Sequence, residues 1–296
     1  MVGGAGSSRR AGLRTVLAAI YIAVNAVLVY FSIELGPDAP DWQLWSALPA
    51  ALASGSVYDI EHGSIWFAWS PIMAPIMAAI ALVGYWPWVA AHAVSVLALR
   101  DWRLIVLTLT SWAFWFDTAQ GNTLTFCFVA GVLALRGHRS ATFGYLAMTL
   151  LMPRPLMLPL AAWLLWQRRE IRLPFVGLFV GHAVIVAASG DGQAWAESML
   201  TYGGQPWTLG PTALLGAWWL VAGVPLAGLL TLRGHLGWAG LAVSPYVLPQ
   251  YLLWLLFEMP QSRTARAAFT QSTHERSAQM PNDFEVTHAG GRHTPP

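Results

Sequence analysis

Asp41 and Arg154 are the charged residues of this chain whose surroundings point most directly to chemistry. Asp41 follows a proline-rich turn, "GPDAPDW", and opens "WQLWSALPAALASG", in which Trp42, Trp45, Leu48 and Leu52 recur at helical spacing. That spacing predicts an amphipathic helix lying in the plane of a membrane interface, which would hold Asp41 near headgroup depth. A carboxylate so placed can take a proton from a hydroxyl nucleophile; the competing readings are a solvated side chain or a helix cap. Asp38, Asp59 and Glu61, in the same polar stretch, read as solvated or helix-capping. Arg154 sits in "LLMPRPLMLP", on the turn of a proline-broken hairpin. Its guanidinium could hold a phosphate through two parallel hydrogen bonds, or it could snorkel to the interface or pair with an acid.

Two further stretches carry polar groups inside apolar sequence. "WFDTAQGN" places Asp117, Gln120 and Asn122 at a helix junction, where short polar side chains cap helix ends or hydrogen-bond a sugar, and Gly121 allows a tight turn. "SPYVLPQY" puts Pro245, Tyr246, Pro249 and Gln250 in an apolar run and predicts a broken helix with polar groups at membrane depth. His92 and His182 stand alone without a second ligand at metal spacing and read as satisfied core residues. Cys127, the single cysteine, reads as a small buried hydrophobe. No metal site or bound cofactor is expected, and no GxSxG, Walker, HExxH or GxGxxG motif occurs in a suitable context.

The elements that must position these residues follow from composition. The 296 residues are 56% hydrophobic and 10% charged, with mean hydropathy +0.52, against roughly 25% charged in a soluble domain. The expected fold is an all-α polytopic membrane protein. Apolar runs near the roughly 20 residues that a span requires recur from Leu13 to Phe257. All 16 basic residues are Arg, and most of them gather in short clusters between those runs: Arg9/Arg10/Arg14, Arg100/Arg103, Arg136/Arg139, Arg168/Arg169/Arg172 and Arg233. Set on the cytoplasmic side, they leave residues 34–65, 117–122 and 191–207 facing outward. Helix 1 then exits, 104–116 and 120–135 form an out-and-back pair, 173–189 exits and 212–230 returns. The prolines in 66–99 and 141–166 predict half-helices around a polar cavity. The division expected is a cytoplasmic N-terminus over 1–12, a transmembrane domain over 13–259 with a first outward loop at 34–65, and a disordered polar tail over 260–296. "GLFVG" at 177–181 has the spacing of a helix-packing motif. A net charge of +2 gives no reason to expect nucleic acid as a partner.

Four stretches together resemble glycosyltransferase family 87, the polyprenol-phosphate-mannose-dependent α-mannosyltransferases of the GT-C superfamily. "DWQLWSALPAALASGSVYD" looks like the family's acid, aromatic, small-residue helix and Gly-x-x-Tyr-Asp segment, and "FAWSPIMAPIMA" like its aromatic-x-x-Pro helix. "AQGNTLTFCFVAGVLAL" is similar to its amide-bearing helix start, and "MPRPLMLPLAAWLLWQRRE" to its basic-x-Pro helix. The chain departs from the family in carrying Gln120-Gly121-Asn122 in that order, and Arg154 where Lys is more usual. The resemblance implies a GT-C-like bundle of about 8–10 transmembrane or re-entrant helices, with an amphipathic helix in the first outward loop. It implies transfer of a hexose, mannose by analogy, from a polyprenyl-phosphate sugar to a lipid or glycan acceptor. The site would face outward at a bacterial cytoplasmic membrane, with Asp41 as catalytic base and Arg154, Asn122, Gln120, Asp117, Tyr58, Tyr246 and Gln250 toward substrate. The rival classes are a transporter or lipid flippase, which would use similar broken helices, and a noncatalytic relative.

Overall fold

Proline, glycine and short polar side chains decide where the apolar runs of this chain stop being helix. The computed structural model describes residues 5–259 except 56, 63, 64, 203–214, 217 and 246. The tail expected over 260–296, Tyr246 and most of the 191–207 loop's second half lie outside the described residues.

Helix α1 (Ala5–Leu35) passes through a 3-10 turn, Gly36–Asp38, into α2 (Pro40–Ser54). Pro40 takes the first helical position, where a missing N–H costs nothing. Gly55, at φ 72°, ends α2 in a left-handed cap. A second 3-10 turn, Val57–Asp59, leads to a two-residue antiparallel ladder of β1 (Glu61–His62) and β2 (Ile65–Trp66). Everything else among the described regular elements is helical.

α3 (Met73–Val83) and α4 (Tyr85–Leu97) meet at a 107° bend. The broken helix expected over 66–99 is therefore present, but proline does not make the break. Gly84 does, at φ 106° and ψ 165°, a conformation that side chains disfavour. Pro75 and Pro87 instead occupy the first turns of α3 and α4, where no helical hydrogen bond is lost.

The single helix expected over 104–116 is two. α5 (Trp102–Leu109) is capped by Asp101, whose side chain accepts from the Arg103 and Leu104 N–H groups, and α6 (Trp112–Ala119) by Ser111, which accepts from Phe114 N–H at 3.2 Å. Ser111 offers the backbone a capping bond, and the helix restarts there. α7 (Leu124–Leu135) and α8 (Arg139–Leu151) follow. Met152 and Arg154 both precede prolines, which disfavours helix. Arg154 is accordingly extended, at φ −120° and ψ 126°, before a 3-10 turn at Pro155–Met157 and α9 (Leu158–Gln167). The chain continues through α10 (Arg172–Ser189), α11 (Gly192–Tyr202), α12 (Trp218–Leu232), α13 (Leu236–Val243) and a final 3-10 stretch, Pro249–Glu258. "SPYVLPQY" thus breaks its helix as expected.

α7 is the central element. Cys127, Phe128, Val132 and Leu135 are buried in it, and Gly131 lies so close to its neighbours that a Cβ there would meet the Phe257 ring at 2.8 Å and Leu160 at 2.9 Å. At one end of α7, Arg136 pairs with Asp101 at 3.1 Å and donates to Leu99 O, while buried Arg168 donates to Thr142 Oγ1 at 2.9 Å and Ala134 O at 2.8 Å. Three of the five arginine clusters therefore share that end.

Two expectations are corrected. Trp42, Trp45 and Leu48 are buried within the protein, and only Leu52 is exposed; α2 packs its aromatic face on α3, α4 and the α6–α7 turn instead of a lipid interface. Gly177 and Gly181 have no neighbour within 4 Å of a Cβ position, so among the described residues the two glycines of "GLFVG" make no close helix contact. Among the described residues one helix, Arg169–Ser189, is long and apolar enough to cross a membrane alone, and the bent α3–α4 pair qualifies only as one unit. α1, α10 and α12 expose large apolar side chains, including Ile22, Phe31, Leu173, Val184, Trp218 and Leu232.

The packing difference along α7 and α10 is measurable. Gly131→Leu is expected to destabilise the fold by about 1–3 kcal/mol through overpacking, whereas Gly181→Leu should leave the melting temperature in detergent nearly unchanged; equal melting temperatures for the two variants would contradict the close approach at Gly131.

Candidate active site

Three chain breaks bring Asp41, Asn122 and Arg154 together: the first turn of α2, the turn joining α6 to α7, and the extended link between α8 and α9. Gly121, at φ 81°, makes the approach possible. A Cβ at that position would lie 3.2 Å from the Trp42 ring and 3.2 Å from Trp45 Nε1, so the α6–α7 turn can slide beneath α2 only because the side chain is missing. The next residue, Asn122, then reaches both charged groups. Its Nδ2 donates to Asp41 Oδ2 at 2.9 Å, and its Oδ1 accepts from Arg154 Nη2. The opposite partners fix which end of the carboxamide is oxygen, since a flipped amide would set donor against guanidinium and acceptor against carboxylate.

Aromatic residues hold the two charges in place. The Arg154 guanidinium lies over the Trp69 ring, 5.8 Å from its centroid, a cation–π arrangement. Trp69 meets Trp45 edge-on at 4.3 Å. Tyr58 donates its hydroxyl to Trp69 O at 2.7 Å, so in this structure it acts on the backbone under Arg154. Asp117 is buried and accepts from Leu124 N–H at 3.3 Å and Thr125 N–H at 2.7 Å, which is the capping role for α7. His92, also buried, places Nε2 2.8 Å from Asn122 O and Nδ1 3.0 Å from Trp88 O. Both neighbours are carbonyl acceptors, and a neutral ring donates to one of them. Asp117 and His92, whose Nε2 is 3.8 Å from Asp117 Oδ2, thereby pin the turn that carries Asn122.

The remaining sequence candidates stand apart from this contact set. Gln120 closes α6 and is partly exposed. Gln250 is buried in the last 3-10 stretch, and its Oε1 has no hydrogen-bond partner among the described residues. Trp69 was not singled out by sequence, because an aromatic beside "SP" has no distinguishing spacing; its role comes from what stacks on it. Beside the polar cluster an apolar cavity of about 480 Å³ opens between the α3–α4 bend and α7–α8, lined by Met77, Pro87, Trp88, Thr123, Phe126 and Met152 among others. Thr123 donates to Met152 Sδ at 3.0 Å, and these two residues neighbour Asn122 and Pro153 in the chain. The cavity wall therefore adjoins the cluster. No group of three or more His, Cys, Asp or Glu side chains suited to a metal occurs among the described residues.

Burial raises the Asp41 carboxyl from its usual 3.8 to about 7; the Arg154 charge pulls it down against that, and Asp117 pushes it up. A carboxylate of that affinity is matched to proton transfer near neutral pH.

The same shift links folding to pH. Between about pH 4 and 7 the folded chain holds a proton on Asp41 that the unfolded chain releases, so ν_N exceeds ν_U and stability falls as pH rises through that window. The limiting slope is about 1.4 kcal/mol per pH unit. Asp41→Asn should flatten this part of the curve in melts run between those limits, and an unaltered slope would count against the buried carboxyl.

Comparison with protein-family models, with curated proteins and with solved structures yields no match for this chain.

Proposed function

We propose that this chain is a membrane glycosyltransferase that moves a hexose from a polyprenyl-phosphate donor to a lipid or glycan acceptor, with inversion at the anomeric carbon. The observation that carries this reading is the Asp41–Asn122–Arg154 arrangement, an acid and a guanidinium held on opposite ends of one carboxamide beside an apolar cavity.

The chemistry follows from those positions. The acceptor hydroxyl oxygen attacks the anomeric carbon as Asp41 removes its proton. The bond from that carbon to the phosphate oxygen breaks, its electron pair leaves with the polyprenyl phosphate, and Arg154 stabilises the charge that develops there. Asn122 sets the distance between base and leaving-group stabiliser, so that both flank the same carbon. The 480 Å³ cavity, walled by methionines and aromatics, suits the isoprenoid chain of the donor. The exposed apolar faces of α1, α10 and α12 support a membrane location, because surfaces of that kind on a soluble monomer are few. The resemblance to the GT-C mannosyltransferases supports mannose as the sugar and the outer face of a bacterial cytoplasmic membrane as the place.

Transfer of radiolabelled sugar from a polyprenyl-phosphate donor, measured on membranes holding the protein, tests the assignment. Asp41→Asn should lower the rate by about 10² to 10⁴ while donor binding persists, whereas Asp38→Asn, in the exposed 3-10 turn, should change it little. In the parent, rate should climb with pH and level off above about 7, the range where the Asp41 carboxyl loses its proton. Parental turnover in the Asp41→Asn protein would refute the catalytic role.

A further inference from the structure

A second groove runs along the length of α9. It has a volume of about 680 Å³ and runs between one face of α9, from Leu158 to Gln167, and one face of α12, from Val224 to Leu232, with Val243 of α13 closing it. That size is within the range of small-ligand sites. Its walls are apolar apart from Gln167 and Thr231, and both of these belong to one end.

The direction of the helices establishes that end. Gly240 of α13 packs against Leu156 O, just before α9, and Gly223 of α12 packs against Ala242 O. The starts of α9 and α12 are therefore together, and their last residues point the same way. Beyond them come Arg168 and Arg169 on one side and Arg233 on the other. Arg172 folds back to the same rim, donating from Nε to Leu165 O at 2.8 Å and from Nη2 to Trp166 O at 2.9 Å. Those bonds satisfy the final carbonyls of α9, whose partial negative charge would otherwise repel an anion. Arg168 is committed to Thr142 and Ala134 and contributes little. Exposed Arg169 and Arg233 remain; among the described residues their acidic neighbours are Glu170 and Glu258, and Glu258 bonds to His235 and to Gly237 N–H.

We propose that this groove binds an anionic phospholipid, with an acyl chain along the apolar walls and its phosphate at the arginine-bearing rim. The inference rests on the membrane location argued above but not on the transfer reaction. Charge complementarity selects the ligand: an apolar channel about 15 Å long, the length of a ten-residue helix, ends at Gln167 and Leu232, and exposed Arg169 and Arg233 follow within two residues, side chains suited to a phosphate diester. The site is separate from the donor cavity, since Arg154 precedes α9 and the basic rim follows it.

The test uses the full chain reconstituted in phosphatidylcholine bilayers, with and without an equal part of phosphatidylglycerol. Phosphatidylglycerol should raise the melting temperature by roughly 5 °C. Gly228→Leu, which has no neighbour within 4 Å of the Cβ and so fills the groove without a clash, should abolish the rise, as should Arg169→Gln combined with Arg233→Gln. The proposal fails if phosphatidylcholine alone gives the same melting temperature, if Gly228→Leu keeps the rise, or if inorganic phosphate reproduces it without the lipid. Alkaline carbonate extraction separates the two readings. A chain released by carbonate overturns the membrane location and this site with it, whereas a chain retained without lipid selectivity overturns this site alone.

Discussion

The contact on which the rest of the site depends is the Asn122 carboxamide between Asp41 and Arg154. A carboxylate and a guanidinium withdrawn from water each carry a desolvation cost of several kcal/mol, recovered only when both are well bonded. The amide supplies a donor to one and an acceptor to the other. The contact exists because Gly121 lets its turn lie against Trp42 and Trp45.

Around this contact the irregular segment 67–70 works as a bracket. It has no regular partner strand, so its polar groups are satisfied one by one. Ser198 donates to Phe67 O at 2.7 Å, Trp195 Nε1 to Ala68 O at 3.3 Å and Tyr58 to Trp69 O, while Ser70 N–H donates to Leu151 O and its hydroxyl meets His182 Nε2 at 2.9 Å. Helices α8, α10 and α11 and the Val57–Asp59 turn thus converge on one strand of chain, whose Trp69 ring lies beneath Arg154. His182 is accordingly a satisfied histidine, as its isolation in an apolar run implied, yet it also ties α10 to the bracket.

The molecule is polar along α7. Asn122, buried Asp117 and half-buried Asp41 lie at its start, Arg136 and Arg168 at its finish, and apolar side chains fill the interval. Arg154 is the arginine that stands apart from that far end, beside Asn122.

Much of this was legible in the sequence. Residues before proline avoid the helix, so the breaks near Arg154 and at Pro249 followed from local sterics, and the helical class followed from apolar runs too long for strands. Asp117 as a cap was also readable locally, since the N–H groups it accepts from lie seven and eight residues on, at the start of the next helix. Other features required the folded chain. Trp42 and Trp45 have the spacing of an interfacial stripe, and spacing alone does not distinguish lipid from protein as the covering surface; Tyr85, Trp88 and Gly121 made it protein. The break at Gly84 instead of at Pro75 or Pro87 depended on where each proline fell within a helical turn. Asp41, Asn122 and Arg154, separated by 81 and 32 positions, became one cluster only when three breaks met. Sequence determines where a backbone cannot continue, because that is a local steric matter; which breaks face each other is decided by packing between segments distant in the chain.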